Sequence, residues 1–202
     1  MLILASQSPT RKALLAGAGL RFEVQAPQTD ERAVEAEALK GGADARQVAQ
    51  LLAEAKVRAI AGLQPEAVII AADQTLALGY ELLHKPQSFD AAVDQLNRLR
   101  GKTHRLHAAV TVAVDGAIAW THVETAELTM RDFTDAERDE VLSLEGDAVL
   151  ASVGGYRLEG SSIRLFEAIR GDYFTILGLP LLPLLSALRQ FAPETFTSAA
   201  FQ

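Results

Sequence analysis

A carboxylate follows a short run of apolar residues about a third of the way along the chain. Residues 68–70 are Val-Ile-Ile, and Asp73 comes after two further alanines. A continuous apolar run of this length is typical of a strand buried on both faces. In open α/β sheets, ligands bind beyond the carboxyl ends of such strands. Asp73 is therefore a candidate site residue, although an acid at this point could also simply cap a turn.

A second group of polar side chains stands near the N-terminus. Residues 6–12 read Ser-Gln-Ser-Pro-Thr-Arg-Lys. Ser8 is a good helix N-cap, and Pro9 suits the first helical position, where its missing N–H costs nothing. Backbone N–H groups and the helix dipole would then meet the Ser6 hydroxyl and the cations of Arg11 and Lys12. Cations are unfavourable in a first helical turn unless an anion is bound there. We therefore favour an anion site over an ordinary capped helix with solvated cations.

Two lysines and two acids could join these groups. The apolar spacing over residues 44–63 predicts a helix, and Lys56 lies at the edge of its apolar stripe. Such a lysine either lies along apolar surface with its ammonium in solvent or reaches into a cleft. Lys85 precedes a proline-stiffened turn after a small hairpin. Asp30 and Glu31 are either solvated loop acids or metal ligands.

The elements that must position these side chains can be read from the same sequence. Alternating apolar residues around Asp115-Gly116 predict a hairpin over residues 106–129. Ser88 and Thr134 are predicted helix caps, the latter in a capping box with Glu137. Strands are also predicted at residues 2–5, 22–26, 163–169 and 173–177, and a last helix at 181–188. From Pro193 the sequence lacks periodicity, so residues 193–202 are expected to form a frayed tail.

The overall composition limits the class of protein. With 202 residues, 49% hydrophobic and 22% charged, the chain predicts a soluble globular domain. A net charge of −7 argues against nucleic acid or an anionic membrane as partner, but not against a small polyanion. The absence of cysteine excludes disulfides and thiolate sites. The longest apolar stretch, residues 176–185, is interrupted by glycine and proline, so no membrane span is predicted and a cytoplasmic location is expected.

Several motifs in order resemble those of the Maf family over residues 2–188. They are SxSPxRK at residues 6–12, ADQT at 72–75, KP at 85–86, GKTH at 101–104, YxxEG at 156–160, GDYF at 171–174 and GLPL at 178–181. The resemblance implies an α/β fold with two lobes around a long mixed sheet with flanking helices, related to inosine triphosphate pyrophosphatases. It implies one domain over residues 1–192 with a cleft between the lobes, and a homodimer as one state of assembly.

The resemblance also implies an activity. Family members hydrolyse nucleoside triphosphates between the α and β phosphates with a divalent metal, Mg²⁺ or Mn²⁺, releasing a monophosphate and pyrophosphate. Asp73 would be the catalytic acid, as general base or metal ligand, and Glu31 would share the metal. The phosphate-binding residues would be Ser6, Ser8, Arg11, Lys12, Lys56 and Lys85. These roles agree with the chemistry of phosphoryl transfer, which needs cations and a carboxylate.

Three positions distinguish the branches of the family. The thymidine/uridine triphosphate branch has Arg, Thr and Gln where this chain has Thr10, Gln74 and Glu159. The 7-methyl-GTP branch has Gln and Glu at the last two positions, as here, and an aromatic residue at the first. The chain is thus closer to the 7-methyl-GTP branch, which implies removal of a modified nucleotide. His84 replaces the glycine common before the Lys-Pro pair.

A different class of function competes with this one. The family was first named for inhibition of septum formation, so the chain could be a non-catalytic nucleotide-binding regulator of cell division. A sensor needs the phosphate site but not a water-orienting acid. The joint presence of Asp73, Lys56 and Lys85 therefore favours the enzyme.

Overall fold

The computed structural model describes residues 1–196 and has one mixed β-sheet flanked by helices, as expected for the α/β class. The seven strands are β1 (Leu2–Leu4), β2 (Glu23–Val24), β3 (Val68–Leu78), β4 (Glu81–Leu83), β5 (Thr103–Val114), β6 (Ala117–Met130) and β7 (Phe166–Arg170). Their order is β2-β1-β3-β5-β6-β7, and β4 pairs with one end of β3. The first three strands in this order are parallel, and the remaining pairs are antiparallel.

The helices lie on both faces of the sheet. They are α1 (Pro9–Gly17), α2 (Glu31–Lys40), α3 (Ala45–Ala61), α4 (Phe89–Leu99), α5 (Asp135–Glu145), α6 (Tyr173–Ile176) and α7 (Leu181–Phe191). Short 3-10 helices cover Gly146–Ala151, Ser161–Leu165 and Pro193–Phe196. The part of the expected frayed tail from residue 197 onward lies outside the described residues. Among residues 1–196, no helix is long and apolar enough to span a membrane.

Strand β3 changes partner along one of its edges, and this positions the site. Its first residues pair with β1, and its last residues, from Leu76, pair with β4. On the opposite edge it pairs with β5 without interruption from Ile69 to Ala77. The expectation that the strand ends at Asp73 is therefore wrong. Asp73 lies within β3, on the stretch between the end of β1 and the start of β4.

Packing around the sheet forms two lobes. In the first lobe, one face of β1 and β3 packs on α1 and α7, with Leu15 and Leu184 fully buried, while the other face packs on α3 through Val57. In the second lobe, the far halves of β3, β5 and β6 pack on α4 and α5, with Leu96 and Phe133 in the core. Strands β3, β5 and β6 thus run through both lobes.

The predicted hairpin and caps are confirmed. Strands β5 and β6 pair from Thr103 to Val114 through a turn in which Asp115 and Gly116 have positive φ, the conformation of a two-residue type I′ connection. Ser8, Ser88 and the capping box of Thr134 start α1, α4 and α5 as predicted.

Two further predictions about secondary structure are wrong, and the strand predicted at residues 163–169 begins only at Phe166, after a 3-10 helix. The segment after Asp30 was expected to be a polar loop, but Asp30 caps α2 by accepting a hydrogen bond from Ala33 N at 3.0 Å. Residues 173–177 were expected to form a strand, but Tyr173–Ile176 forms the short helix α6. There the Asp172 carboxylate accepts a hydrogen bond from Thr175 N at 2.8 Å, and this cap outweighs the strand preference of the aromatic and β-branched residues.

Candidate active site

A cleft of about 1290 Å³ runs along the open stretch of β3 between the two lobes. Ten of the eleven predicted site residues line it: Ser6, Ser8, Thr10, Arg11, Glu31, Lys56, Asp73, Gln74, Lys85 and Glu159. The exception is Lys12, which follows Arg11 on α1 and does not line this cleft. The residues come from three helices, β3 and three loops, so only the folded chain brings them together.

The start of α1 forms one wall of the cleft. Ser8 N donates to the Ser6 hydroxyl at 3.2 Å, and Arg11 N donates to the Ser8 hydroxyl at 3.3 Å. Each hydroxyl uses a lone pair in these bonds and keeps its own proton for donation. Two O–H groups and the positive end of a helix dipole therefore face the same space, an arrangement that suits a phosphate group.

The Arg11 side chain ties this wall to two other segments. Its Nε donates to Gly178 O and its Nη1 donates to Ala72 O, each at 2.8 Å. Burial lowers the pKa of Arg11, and the carboxylates of Asp73 and Glu31 partly offset this effect. Because a guanidinium starts from a very high pKa, Arg11 stays charged. Its charge acts on the cleft while two of its five N–H groups hold the backbone.

A buried lysine joins the two acids of the site. Lys56 projects from α3, and its Nζ contacts Asp73 Oδ1 on β3 and lies 2.9 Å from Glu31 Oε1 on α2. Lys56 and Asp73 are each 7% exposed, whereas the Glu31 side chain is 55% exposed. Of the two positions that the sequence left open for Lys56, the structure has the one inside the cleft. The three groups carry a net charge of −1.

The two predicted specificity residues near α1 differ in how firmly they are held. Gln74 Nε2 donates to the carbonyls of Thr175 and Ile176, each at 3.0 Å, so its amide is fixed against α6. Thr10 is in the first turn of α1 and is partly exposed to the cleft. A threonine offers a small surface there and cannot stack on a base.

Glu159 and Arg157 also line the cleft, on the loop between the 3-10 helices Gly146–Ala151 and Ser161–Leu165. Arg157 Nε donates to Glu159 Oε1 at 3.3 Å, and its Nη1 donates to Glu145 Oε2 at 3.4 Å. Arg157 and Glu145 were not predicted from the sequence. Arg157 lies with Glu159 in a turn closed by a hydrogen bond from Gly160 N to Arg157 O at 3.2 Å, and its place inside the YxxEG motif is the only sequence signal for it.

Two buried rings, His104 and Tyr156, lie next to this loop. His104 on β5 and the Tyr156 hydroxyl are hydrogen-bonded at 2.7 Å, and Tyr156 also lines the cleft. Burial lowers the pKa of His104 to about 4 and raises the pKa of Tyr156. Both rings are therefore neutral at physiological pH. Gly154 makes room for this arrangement, because a Cβ there would lie 2.0 Å from the Tyr156 ring.

The acids of the cleft fit a divalent cation that is completed by substrate. Among residues 1–196, no group of three or more His, Cys, Asp or Glu side chains could hold a metal ion. Asp73 and Glu31 nevertheless converge on one ammonium, each through a single oxygen. Mg²⁺ commonly binds to one or two carboxylates together with water and substrate phosphates. The two carboxylates meet that requirement.

Comparison with known proteins gives consistent matches over nearly the whole chain. The family model described as Maf-like protein matches residues 1–191. A 7-methyl-GTP pyrophosphatase of Brucella abortus is 51% identical over 189 residues, which cover 94% of this chain and 95% of that protein. A 7-methyl-GTP pyrophosphatase of Rhizobium etli is 50% identical with the same coverage. A nucleoside triphosphate pyrophosphatase of Bradyrhizobium diazoefficiens is 50% identical over 93% of this chain and 92% of its own length.

Proposed function

The chain belongs to the Maf family, and on that premise we propose that it is a metal-dependent nucleoside triphosphate pyrophosphatase that acts on 7-methyl-GTP. It hydrolyses the bond between the α and β phosphates and releases a nucleoside monophosphate and pyrophosphate. The observation that carries this proposal is the position of Lys56 between Asp73 and Glu31, next to the phosphate-binding wall of α1.

The triphosphate lies along the wall formed by α1. The hydroxyls of Ser6 and Ser8 donate to its oxygens, and Arg11 supplies a fixed positive charge. Lys85 lines the cleft from the loop after β4. Among the described residues it has no ion-pair partner within 4.0 Å, so its ammonium is available to the phosphates. Lys12 lies outside the cleft and contributes only through its charge.

Asp73 and Glu31 would hold the divalent ion. That ion supplies positive charge to the phosphate oxygens and to the reacting water. Asp73, the more buried of the two carboxylates, would orient the water and accept its proton. Lys56 keeps both acids in place and offsets one of their two charges. Hydrolysis adds the elements of water across the anhydride, with a hydroxyl on one phosphorus and the bridging oxygen on the other product.

The choice of base follows from Glu159. A carboxylate only accepts hydrogen bonds, and guanine presents its N1–H and N2 amino group side by side as two donors. Methylation at N7 makes the ring cationic and its N1–H a better donor. Two of the relatives are named 7-methyl-GTP pyrophosphatases, which supports the same choice. Thr10 provides no aromatic surface for stacking, so we expect weaker discrimination than in a protein with an aromatic residue there.

A nucleotide panel tests the proposal. Purified protein is incubated with 7-methyl-GTP, GTP, UTP or dTTP and Mg²⁺ or Mn²⁺, with inorganic pyrophosphatase added to convert pyrophosphate to detectable phosphate. Chromatography then distinguishes monophosphate from diphosphate as product. We expect monophosphate, the highest kcat/KM for 7-methyl-GTP, and no turnover with chelator.

Three other outcomes would each change a different part of the proposal. Preference for UTP or dTTP would refute the choice of base and leave the reaction standing. A diphosphate product would refute the position of cleavage. Tight nucleotide binding without turnover in the presence of either metal would favour the non-catalytic regulator.

A further inference from the structure

Arg157 lies between two carboxylates and lines the cleft. Its guanidinium donates to Glu145 Oε2 at 3.4 Å on one side and to Glu159 Oε1 at 3.3 Å on the other. Its side chain is 36% exposed and lines the cleft beside Glu159. The Arg157 cation is therefore next to Glu159, the acid that is proposed to form hydrogen bonds with the base.

Glu145 is the fixed side of this arrangement. Its side chain is only 2% exposed, and its Oε1 accepts hydrogen bonds from Ser161 Oγ at 3.0 Å, from Ser162 N at 2.8 Å and from Ser162 Oγ at 3.0 Å. Gly160 leaves the space for this carboxylate, because a Cβ there would lie 2.2 Å from Glu145 Oε1. Glu145 thus anchors Arg157, and Arg157 in turn holds Glu159.

We propose that Arg157 is a specificity-determining residue that positions Glu159 for the guanine edge and, through its own charge, limits the preference for a cationic 7-methylguanine over guanine. This inference rests on the proposed function, since it concerns the base of the same substrate. The arrangement predicts an enzyme that accepts both bases to a degree set by Arg157.

The two effects of Arg157 can be separated by comparing two substrates. Guanine and 7-methylguanine present the same N1–H and N2 donors, so the orientation of Glu159 affects both equally. They differ by one positive charge on the ring. A change in kcat/KM shared by both nucleotides therefore reports orientation, and a change in their ratio reports charge.

Three variants are expected to change the ratio of 7-methyl-GTP to GTP kcat/KM in different ways. Arg157→Gln removes the cation and should raise the ratio roughly three- to tenfold, the effect of a unit charge about 7 Å away in a partly solvated site. Arg157→Lys keeps the charge but loses the planar fork, so both kcat/KM values should fall while the ratio stays unchanged. Glu145→Gln removes the buried negative charge behind Arg157 and should lower the ratio.

Arg164 provides the matched control. It is an exposed arginine that is ion-paired to Glu140 at 3.0 Å and does not line the cleft. Arg164→Gln and Arg164→Lys should leave both kcat/KM values and their ratio unchanged.

A binding measurement separates failure of this inference from failure of the proposed function. Dissociation constants for GMP and 7-methyl-GMP are measured at slightly acidic pH, where the methylated base keeps its N1 proton. If the wild type hydrolyses neither nucleotide, the proposed function fails, and the Kd ratios still test Arg157. An unchanged or lower ratio in Arg157→Gln, by turnover and by binding, would overturn the inference, as would a raised ratio in Arg157→Lys.

Discussion

The ammonium of Lys56 contacts Oδ1 of Asp73, and both side chains are almost completely buried. Lys56 comes from the last third of α3 and Asp73 from the middle of β3, so the pair fixes a helix against the strand beside it. A buried pair of this kind is costly to break, because removal of one partner leaves an uncompensated charge. Together with Glu31, the pair lines the cleft, and such a group of charges suits a site for charged substrates.

Replacement of Asp73 by Asn should abolish most of the activity. Loss of the proton acceptor and metal-binding oxygen is expected to lower kcat about 10²–10⁴-fold. The variant also leaves Lys56 with Glu31 alone, so the melting temperature should fall. Asp94→Asn, an exposed acid on α4 outside the cleft, is the control and should change neither quantity. Wild-type turnover in a folded Asp73→Asn protein would remove Asp73 from the mechanism.

Arg11 and Lys85 should differ in their effect on stability. Each is proposed to contribute a charge to the triphosphate, and loss of one charge-assisted contact, worth roughly 1.5–3 kcal/mol, should lower kcat/KM more than tenfold for every nucleotide. Arg11→Ala also leaves the carbonyls of Ala72 and Gly178 without this donor, so it should lower the melting temperature, whereas Lys85→Ala should not. Lys102→Ala, exposed and outside the cleft, is the control. A selective loss for one base would show that either residue contacts the base.

Glu159 should determine the preference for the base. Glu159→Gln replaces an acceptor-only group with one that also donates, which suits the single N–H flanked by two carbonyls of uracil and thymine. We expect kcat/KM to fall for 7-methyl-GTP and to rise, relative to it, for UTP and dTTP. Gln87→Glu, in the cleft but on the loop after β4, is a charge control on the same substrates. Parallel losses for all three nucleotides would assign Glu159 a purely structural role.

The stability of the protein should fall between neutral and acidic pH because of His104. Its pKa is about 4 in the folded protein and about 6.5 in an unfolded chain, so in this window the unfolded state binds more protons. The free energy of unfolding therefore decreases as the pH falls through this range, by at most about 3 kcal/mol from this residue.

His104→Gln tests this dependence. A glutamine can keep a hydrogen bond to Tyr156 and does not titrate, so the free energy of unfolding should fall less steeply with acid than in the wild type. His122→Gln, partly exposed on β6, should retain most of the wild-type slope. The measurement is denaturant unfolding at a series of pH values. Equal slopes in wild type and His104→Gln would show that the pKa of His104 does not differ between the folded and unfolded protein.

Several features that depend on neighbouring residues were predicted correctly from the sequence. Caps at Ser8, Ser88 and Thr134, the turn at Asp115-Gly116 and the apolar stripe of α3 each depend on a few neighbouring residues, and each is confirmed. The motifs that resemble the Maf family supplied the candidate site residues, and ten of these eleven residues line one cleft.

Features that depend on distant partners were not predictable in this way. The burial of Lys56 depends on its ion pairs with Asp73 on β3 and with Glu31 on α2, a helix that was predicted to be a loop. The continuation of β3 through Asp73 depends on pairing with β5, since β1 has already ended. The position of Arg157 depends in part on its hydrogen bond to Glu145, twelve residues earlier at the end of α5.

The uninterrupted pairing of β3 with β5 has a consequence for substrate selection. A hinge between the lobes would have to break a ladder that extends from Ile69 to Ala77, so the lobes are expected to move as one frame. The start of α1 and the loop that carries Glu159 are both fixed to that frame. The distance between them is therefore expected to be fixed, and it would limit the length of the nucleotide that fits both. With a longer or shorter phosphate chain, the base would not reach Glu159 in a position where it could form hydrogen bonds.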